Sequence, residues 1–343
     1  MKKTMIALAA VAAAGAASAQ VTITGGISMA MQSNLAKVAG MASVDNTLYI
    51  GASEDLGGGM KISAAMVIEN DTARGTYFDR ADQSLTLTTP VGAFALKNTR
   101  SGGNQGAAQI APVSLADDQW TSAVITREAV DAISFTVPVN ANISLTGAYV
   151  EGKDDALAAA GVKALAAAGT DATAAAAAIK AGAAGASGAV NPASTSVQGV
   201  VKYSGNGLTV TAGYTSTTFT DNVMALIVPL RKAASKSDIQ TTSFDVSAIY
   251  DAGVAKLGFG YDSSRRGYTS ADKAAMLFGV SIPMGAITLG GNYGSRDEAN
   301  FLQLGAQYDL SKRTNLNLSW GQDKQGAGKD TNSQYRLSLN HSF

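Results

Sequence analysis

Apolar and polar side chains alternate residue by residue through most of this chain. From Tyr335 to Phe343 the odd positions are Tyr, Leu, Leu, His and Phe, and the even ones Arg, Ser, Asn and Ser. A two-residue period puts one set on each face of a β-strand. The same pattern recurs upstream. Val21 to Met31 keeps its apolar residues on odd numbers, and Leu48, Ile50 and Ala52 share one face. Met60, Ile62, Ala64, Met66 and Ile68 are even, with Lys61, Ser63 and Glu69 between them. Leu85 with Leu87, Phe94 with Leu96, Ile133 with Phe135 and Val137, and Ile143 with Leu145 and Tyr149 mark four more segments. The second half repeats the device around Tyr203, Tyr214, Tyr250, Tyr261, Phe278, Tyr293, Tyr308 and Trp320. With the last segment, sixteen strands are predicted.

The connections alternate as well. Residues 54–59, 89–92, 138–142, 204–207, 251–253, 283–285 and 309–314 are short and rich in Gly, Pro, Asn and Asp, the chemistry of tight turns. Most other connections are long and polar. This predicts an all-β fold: a 16-stranded antiparallel transmembrane β-barrel with short periplasmic turns and long extracellular loops. Aromatic residues of outward parity support it. Tyr203, Tyr250, Tyr308 and Phe343 fall at the short-turn ends of strands, and Tyr149, Tyr214, Tyr261, Tyr293 and Trp320 at the long-loop ends. That makes two belts, one for each membrane–water interface. A strand closing on Phe343 suits a cylinder whose last ring meets the headgroups. A soluble sandwich also alternates, but sixteen strands with alternating loop lengths fit it poorly.

Composition narrows the picture. Charged residues are only 15% of the chain, against about 25% in typical soluble domains. Lys2 and Lys3, an apolar run from Met5 to Ala17 and the Ala17-Ser18-Ala19 site predict a cleaved signal peptide over residues 1–19, with the barrel over 20–343. The apolar run is shorter than the ~20 residues a helical span needs. Without those two lysines, 24 basic residues stand against 26 acidic ones, so no basic excess points to nucleic acid. The chain has no Cys, which excludes thiol catalysis and zinc–thiolate sites. Its one histidine, His341, is on the outward face of the last strand, so a Ser-His-Asp arrangement is not supported. No carboxylate pattern resembles a metal loop. No enzyme activity, cofactor or metal is expected.

Residues 154–195 form an alanine-rich insert in a long-loop position. Alanine favours short helices there, limited by Gly161, Gly169, Gly182 and Gly185. The insert is either a lid over the mouth of the barrel or a low-complexity extracellular loop; composition favours the loop.

Three stretches carry a family resemblance: Leu-Tyr-Ile-Gly-Ala-Ser-Glu-Asp-Leu-Gly-Gly-Gly-Met-Lys from Leu48, Tyr-Asp-Leu-Ser-Lys-Arg-Thr-Asn-Leu from Tyr308, and the terminal Asn-His-Ser-Phe. They resemble the first periplasmic turn, a late turn and the end of the general trimeric outer-membrane porins of β-proteobacteria. The resemblance implies a water-filled barrel in the Gram-negative outer membrane that passes ions and small hydrophilic solutes. It also implies a homotrimer, contacts with outer-membrane lipid and lipopolysaccharide, and assembly by the barrel-assembly machinery through the Phe343 strand. A surface adhesin or envelope anchor with a restricted lumen is the alternative.

In that family the third long loop folds into the lumen. Here it is residues 101–127, and by resemblance Asp117 and Asp118 would stand at the constriction, although a solvated loop pair is the plainer role. Parity gives the basic wall candidates: Lys61, Lys97, Lys202, Lys256 and Arg336. Lys61, next to a turn, suits the rim as well as the pore. The chain departs from its relatives where they carry an arginine after the fifth strand, here Lys97-Asn98, and in lacking a basic residue at Asn46-Thr47. The thinner basic wall predicts weak ion selectivity.

Overall fold

The computed structural model of the chain describes residues 20–33, 39–44, 46–71, 76–101, 103–115, 124–125, 128–152, 194–221, 224, 240–264, 274–326 and 329–343. Its strand segments are β1 (Gln20–Ser33), β2 (Ala39–Ser43), β3 (Asn46–Gly57), β4 (Met60–Asp71), β5 (Thr76–Thr89), β6 (Gly92–Ser101), β7 (Glu128–Pro138), β8 (Ile143–Gly152), β9 (Ser194–Gly205), β10 (Leu208–Phe219), β11 (Thr242–Asp251), β12 (Lys256–Asp262), β13 (Ala275–Met284), β14 (Ile287–Arg296), β15 (Ala299–Asp309), β16 (Thr314–Gln325) and β17 (Thr331–Ser342). They join in one antiparallel sheet whose ends meet. β2 and β3 are two halves of one stave, since β2 pairs with Met29–Ser33 of β1 and β3 with Gln20–Gly26. The barrel therefore has sixteen staves, matching the sixteen predicted segments.

Closure is made by β1 and β17, from Gly26 opposite Ser342 to Gln32 opposite Arg336. Gly25 and Phe343 then exchange backbone hydrogen bonds of 3.1 and 3.0 Å. A closed ladder leaves no sheet edge unpaired, the condition for strands in hydrocarbon. Among the described residues no helix is long and apolar enough to cross a membrane.

The predicted short turns fall where expected. Asn206 and Gly207 both have positive φ, 53° and 75°, the left-handed pair that a two-residue hairpin needs to follow strand twist. Gly57, Gly58 and Gly59 are also left-handed, and Asp55 Oδ1 accepts the Gly57 N–H at 2.8 Å, which explains a triple glycine after Asp-Leu.

Register sorts the two faces. Val21, Ile23, Ile27, Met29 and Met31 project outward and are exposed, while Ser28 and Ala30 between them are buried. Outward apolar exposure continues around the sheet, through Leu85, Leu96, Phe135, Val201, Phe259, Phe278, Leu289, Leu304, Leu318 and Leu339. An apolar belt of that extent is unstable in water and suits lipid. Tyr335 and Phe343 bracket the belt on β17. Their eight-residue separation is about 27 Å along the strand and about 21 Å along the normal at a tilt of about 40°, close to the ~25 Å apolar band of such barrels.

The conventional core is small and lies inside the cylinder. Inward Ala275, Leu277, Ala299 and Phe301 of β13–β15 pack with Ala108, Val124 and Ile125 of the long connection after β6. Period-two alternation shows that Leu277 and Phe301 face the interior. It does not show that a loop returns to cover them.

The signal peptide predicted over 1–19 lies outside the described residues, and Gln20 opens β1. The insert predicted over 154–195 also lies outside them, except for Ser194 and Thr195. Those two begin β9.

Candidate functional site

The interior is lopsided because one segment crosses half of it. Residues 103–115 run over the inner wall from β11 to β17, in the order of the strands. The segment begins with a short 3-10 turn, Asn104–Ala108. The Asn104 backbone N–H donates to Asp245 Oδ1 on β11 at 3.2 Å. Gln105 Nε2 donates to Asp262 Oδ2 on β12 at 3.3 Å. The Ala111 N–H reaches Asn292 Oδ1 on β14 at 3.1 Å. Asn317 Nδ2 on β16 donates to the Pro112 carbonyl at 2.8 Å, and the Ser114 N–H to Ser319 Oγ at 2.9 Å. On β17 the Ser114 hydroxyl meets Ser338 Oγ at 3.1 Å, and Arg336 Nη1 donates to the Ser114 carbonyl. A loop with little secondary structure needs partners for its backbone, and inward polar side chains of four strands, β11, β14, β16 and β17, supply them.

Beneath the loop lies a buried charge pair. Arg296 Nη2 and Asp262 Oδ2 are 2.6 Å apart, with both side chains almost inaccessible. Ser264 Oγ also donates to Asp262 Oδ2, at 2.6 Å, and Arg296 Nη1 to the Ser264 carbonyl at 3.3 Å. This network holds the carboxylate that receives Gln105, so it positions the root of the loop.

The opposite wall is open. Inward positions of β3–β9 mostly keep contact with water, among them Tyr49, Lys61, Lys97 and Lys202.

The sequence-derived residues fall as follows. Lys97 is inward, level with Ser84 and Ala132, and exposed. Lys202 is inward, level with Ser144 and Thr211, and exposed. Lys61 is level with Asp55 and Thr88, next to the first turn. Lys256 is inward, but at the turn end of β12, where its Nζ pairs with Asp251 Oδ2 at 3.3 Å. Arg336 is inward too, yet only 1% exposed, because the loop covers it and its Nε donates to Gln32 Oε1 at 2.8 Å. It clamps the loop and does not stand free in the passage, which is a correction to its place among the wall cations. Asp117 and Asp118 lie outside the described residues. The aromatics sort into two levels by register. Tyr203 pairs with Ile143 and Val210, Tyr250 with Leu208 and Leu257, and Tyr308 with Ile287 and Leu316, all near short turns. Tyr149, Tyr214, Tyr261, Tyr293 and Trp320 are on outward positions nearer the long-loop ends.

Two groups escaped the sequence. The Arg296–Asp262 pair joins residues from different hairpins, and no local spacing announces it. The inward glycines of β12–β16 had a visible signal: Leu-Gly-Phe-Gly-Tyr on β12 and Leu-Gly-Gly-Asn on β14 put glycine where a lumen side chain belongs.

Solved structures share this architecture. An anion-selective porin from Comamonas acidovorans superposes with a TM-score of 0.61 at 17% identity, covering 95% of this chain and 100% of that one. A loop-deletion mutant of OmpT, an outer-membrane protein of Vibrio cholerae, gives 0.62 at 10% identity, with 95% and 99% covered. A multiply substituted mutant of the Rh. blastica porin gives 0.61 at 11% identity, with 94% and 100% covered. Among curated protein sequences none matches. The family model described as Gram-negative porin, however, matches residues 6–328, nearly the whole chain, so this protein belongs to the Gram-negative porin family, an outer-membrane channel for small solutes.

Proposed function

We propose that the protein is a general diffusion porin with weak ion selectivity, whose passage is a crescent between the loop after β6 and the β3–β9 wall. One observation carries this: the loop seals the β11–β17 side, while inward side chains opposite it, Lys97 and Lys202 among them, stay hydrated. Asp117 and Asp118, farther along the same loop, supply the acidic side of the aperture. A few fixed charges in a narrow aqueous gap with low-dielectric walls produce a strong local field. Acids facing bases make that field transverse, so hydrated ions and polar solutes reorient and pass, and neither sign is strongly favoured.

The finer cellular setting belongs to the same proposal. Export uses the cleaved leader over residues 1–19, and the working unit is a homotrimer. Tyr203, Tyr250, Tyr308 and Phe343 sit at the periplasmic headgroups, and Tyr149, Tyr214, Tyr261, Tyr293 and Trp320 at the outer ones, against lipopolysaccharide. The Phe343 strand, which closes the barrel, is the segment offered to the assembly machinery. His341 supports no catalysis: on the outward face, its Nδ1 lies 3.0 Å from Thr314 Oγ1.

Reconstitution in a planar bilayer tests the proposal. Long-lived ohmic steps and a small reversal potential in a salt gradient are expected, and the Asp117→Asn/Asp118→Asn variant should move that potential towards anions. A strongly anion-selective wild-type channel, or a double variant with the wild-type potential, overturns the electrostatic assignment.

A further inference from the structure

Where the backbone of the loop lies closest to the inner wall, the wall carries glycine. A Cβ built on Gly258 or Gly279 would run into the Ala108 carbonyl, one on Gly260 into the Gln105 carbonyl, and one on Gly305 into the Pro112 carbonyl. At Gly290 it would first meet the Val280 carbonyl of the neighbouring strand, at 2.4 Å, and then Pro112 Cδ at 2.8 Å, and at Gly321 it would strike the Leu115 side chain. These six glycines occupy inward register positions on β12–β16 and follow the path of the loop. None of the six has a positive φ, so backbone conformation does not demand glycine there. What demands it is the backbone lying against the wall, mostly rigid carbonyls and not yielding side-chain tips.

The loop is tied to this bed along its length: Asn104, Ala111, Pro112 and Ser114 bond to Asp245 on β11, Asn292 on β14, Asn317 and Ser319 on β16 and Arg336 on β17. Its depth is the depth of its bed.

We propose that this glycine bed sets the aperture of the channel: by letting residues 104–115 lie flush on β12–β16, it leaves the crescent along β3–β9 wide enough for solutes. The glycines act through the loop, as positioning residues, and touch no solute. The proposal rests on the loop being the narrowing element.

Replacing Gly279 or Gly305 with alanine puts a methyl group where a carbonyl now lies. Ordinary contact is about 3.5 Å, so the loop must move inward by about 1 Å or more. Across an aperture on the order of 10 Å, that removes up to about a tenth of the cross-section, and Gly279→Ala/Gly305→Ala, which lifts the loop at Ala108 and at Pro112, extends the narrowing over more of its length. Single-channel conductance of purified, heat-modifiable protein reads the change. Gly199→Ala is the control, because a Cβ there meets nothing within 4 Å. The expected result is lower conductance for Gly279→Ala, lower again for the double variant, and the wild-type value for the control. A folded Gly279→Ala channel with unchanged or raised conductance overturns the proposal. Deleting residues 109–113 separates the two layers of the argument. If the deletion widens the channel while the glycine variants leave it unaltered, only the bed is refuted; if it does not widen the channel, the loop is not the narrowing element and the bed falls with it. Should those variants fail to fold, Gly321→Ala, whose Cβ meets the Leu115 side chain and no carbonyl of the loop, carries the test: lower conductance is expected, and a folded channel with the wild-type value overturns the proposal.

Discussion

Arg336 separates two roles that its inward parity alone does not distinguish. As a pore cation, its charge would face passing ions. As the structure places it, it is buried and gives hydrogen bonds to the Ser114 carbonyl and to Gln32 Oε1. Bonds from a charged donor contribute about 1.5–3 kcal/mol each. Only the Ser114 bond is made to the loop, since Gln32 is on β1, and lumen water replaces part of it when the clamp is cut, so about 2 kcal/mol of loop docking is at stake. That raises the undocked fraction of the loop's end about thirtyfold. The Asn317–Pro112 and Ser114–Ser319 bonds remain and hold it down most of the time. Arg336→Gln should therefore produce current noise with little change in mean conductance. Arg336→Lys keeps the charge but loses the planar fork, and should be noisy too. Single-channel recording gives the noise and a salt gradient gives the selectivity; neither variant should move the reversal potential. A quiet Arg336→Gln channel shifted towards cations, with Arg336→Lys at wild type, would refute the clamp and restore Arg336 as a lining charge.

Other outcomes follow from the same geometry. Lys97→Glu and Lys202→Glu should each shift the reversal potential towards cations, whereas Lys256→Glu, at the rim beside Asp251, should shift it far less; equal shifts for all three would discard the open-wall assignment. Arg296→Met strands the Asp262 carboxylate beneath the loop, a loss of about 3–5 kcal/mol. It should lower the temperature at which the folded barrel converts to the unfolded form on a gel, and Arg296→Met/Asp262→Leu should recover part of the loss; a Met variant as heat-resistant as wild type would mean that water already reaches the pair.

Alternation alone determined the cylinder. In a membrane the outward residues at the level of the hydrocarbon must be apolar and every backbone group must be paired, so strand number and turn positions were written locally, two residues at a time, from Val21 to Phe343. Parity also placed Lys97 and Lys202 inside. What lies within the cylinder obeys no such period. Arg336 and Lys97 have the same parity, yet one is buried and the other hydrated, because a loop distant in sequence covers only one wall. Gly258, Gly279 and Gly305 read as weak strand positions until the Ala108 and Pro112 carbonyls are seen lying on them. Phe301 reads as an oily side chain in a wet lumen until Val124 and Ile125 close over it. These pairings join residues more than a hundred positions apart, through contacts that have no signature in either partner's neighbourhood, and only the folded chain brings them together.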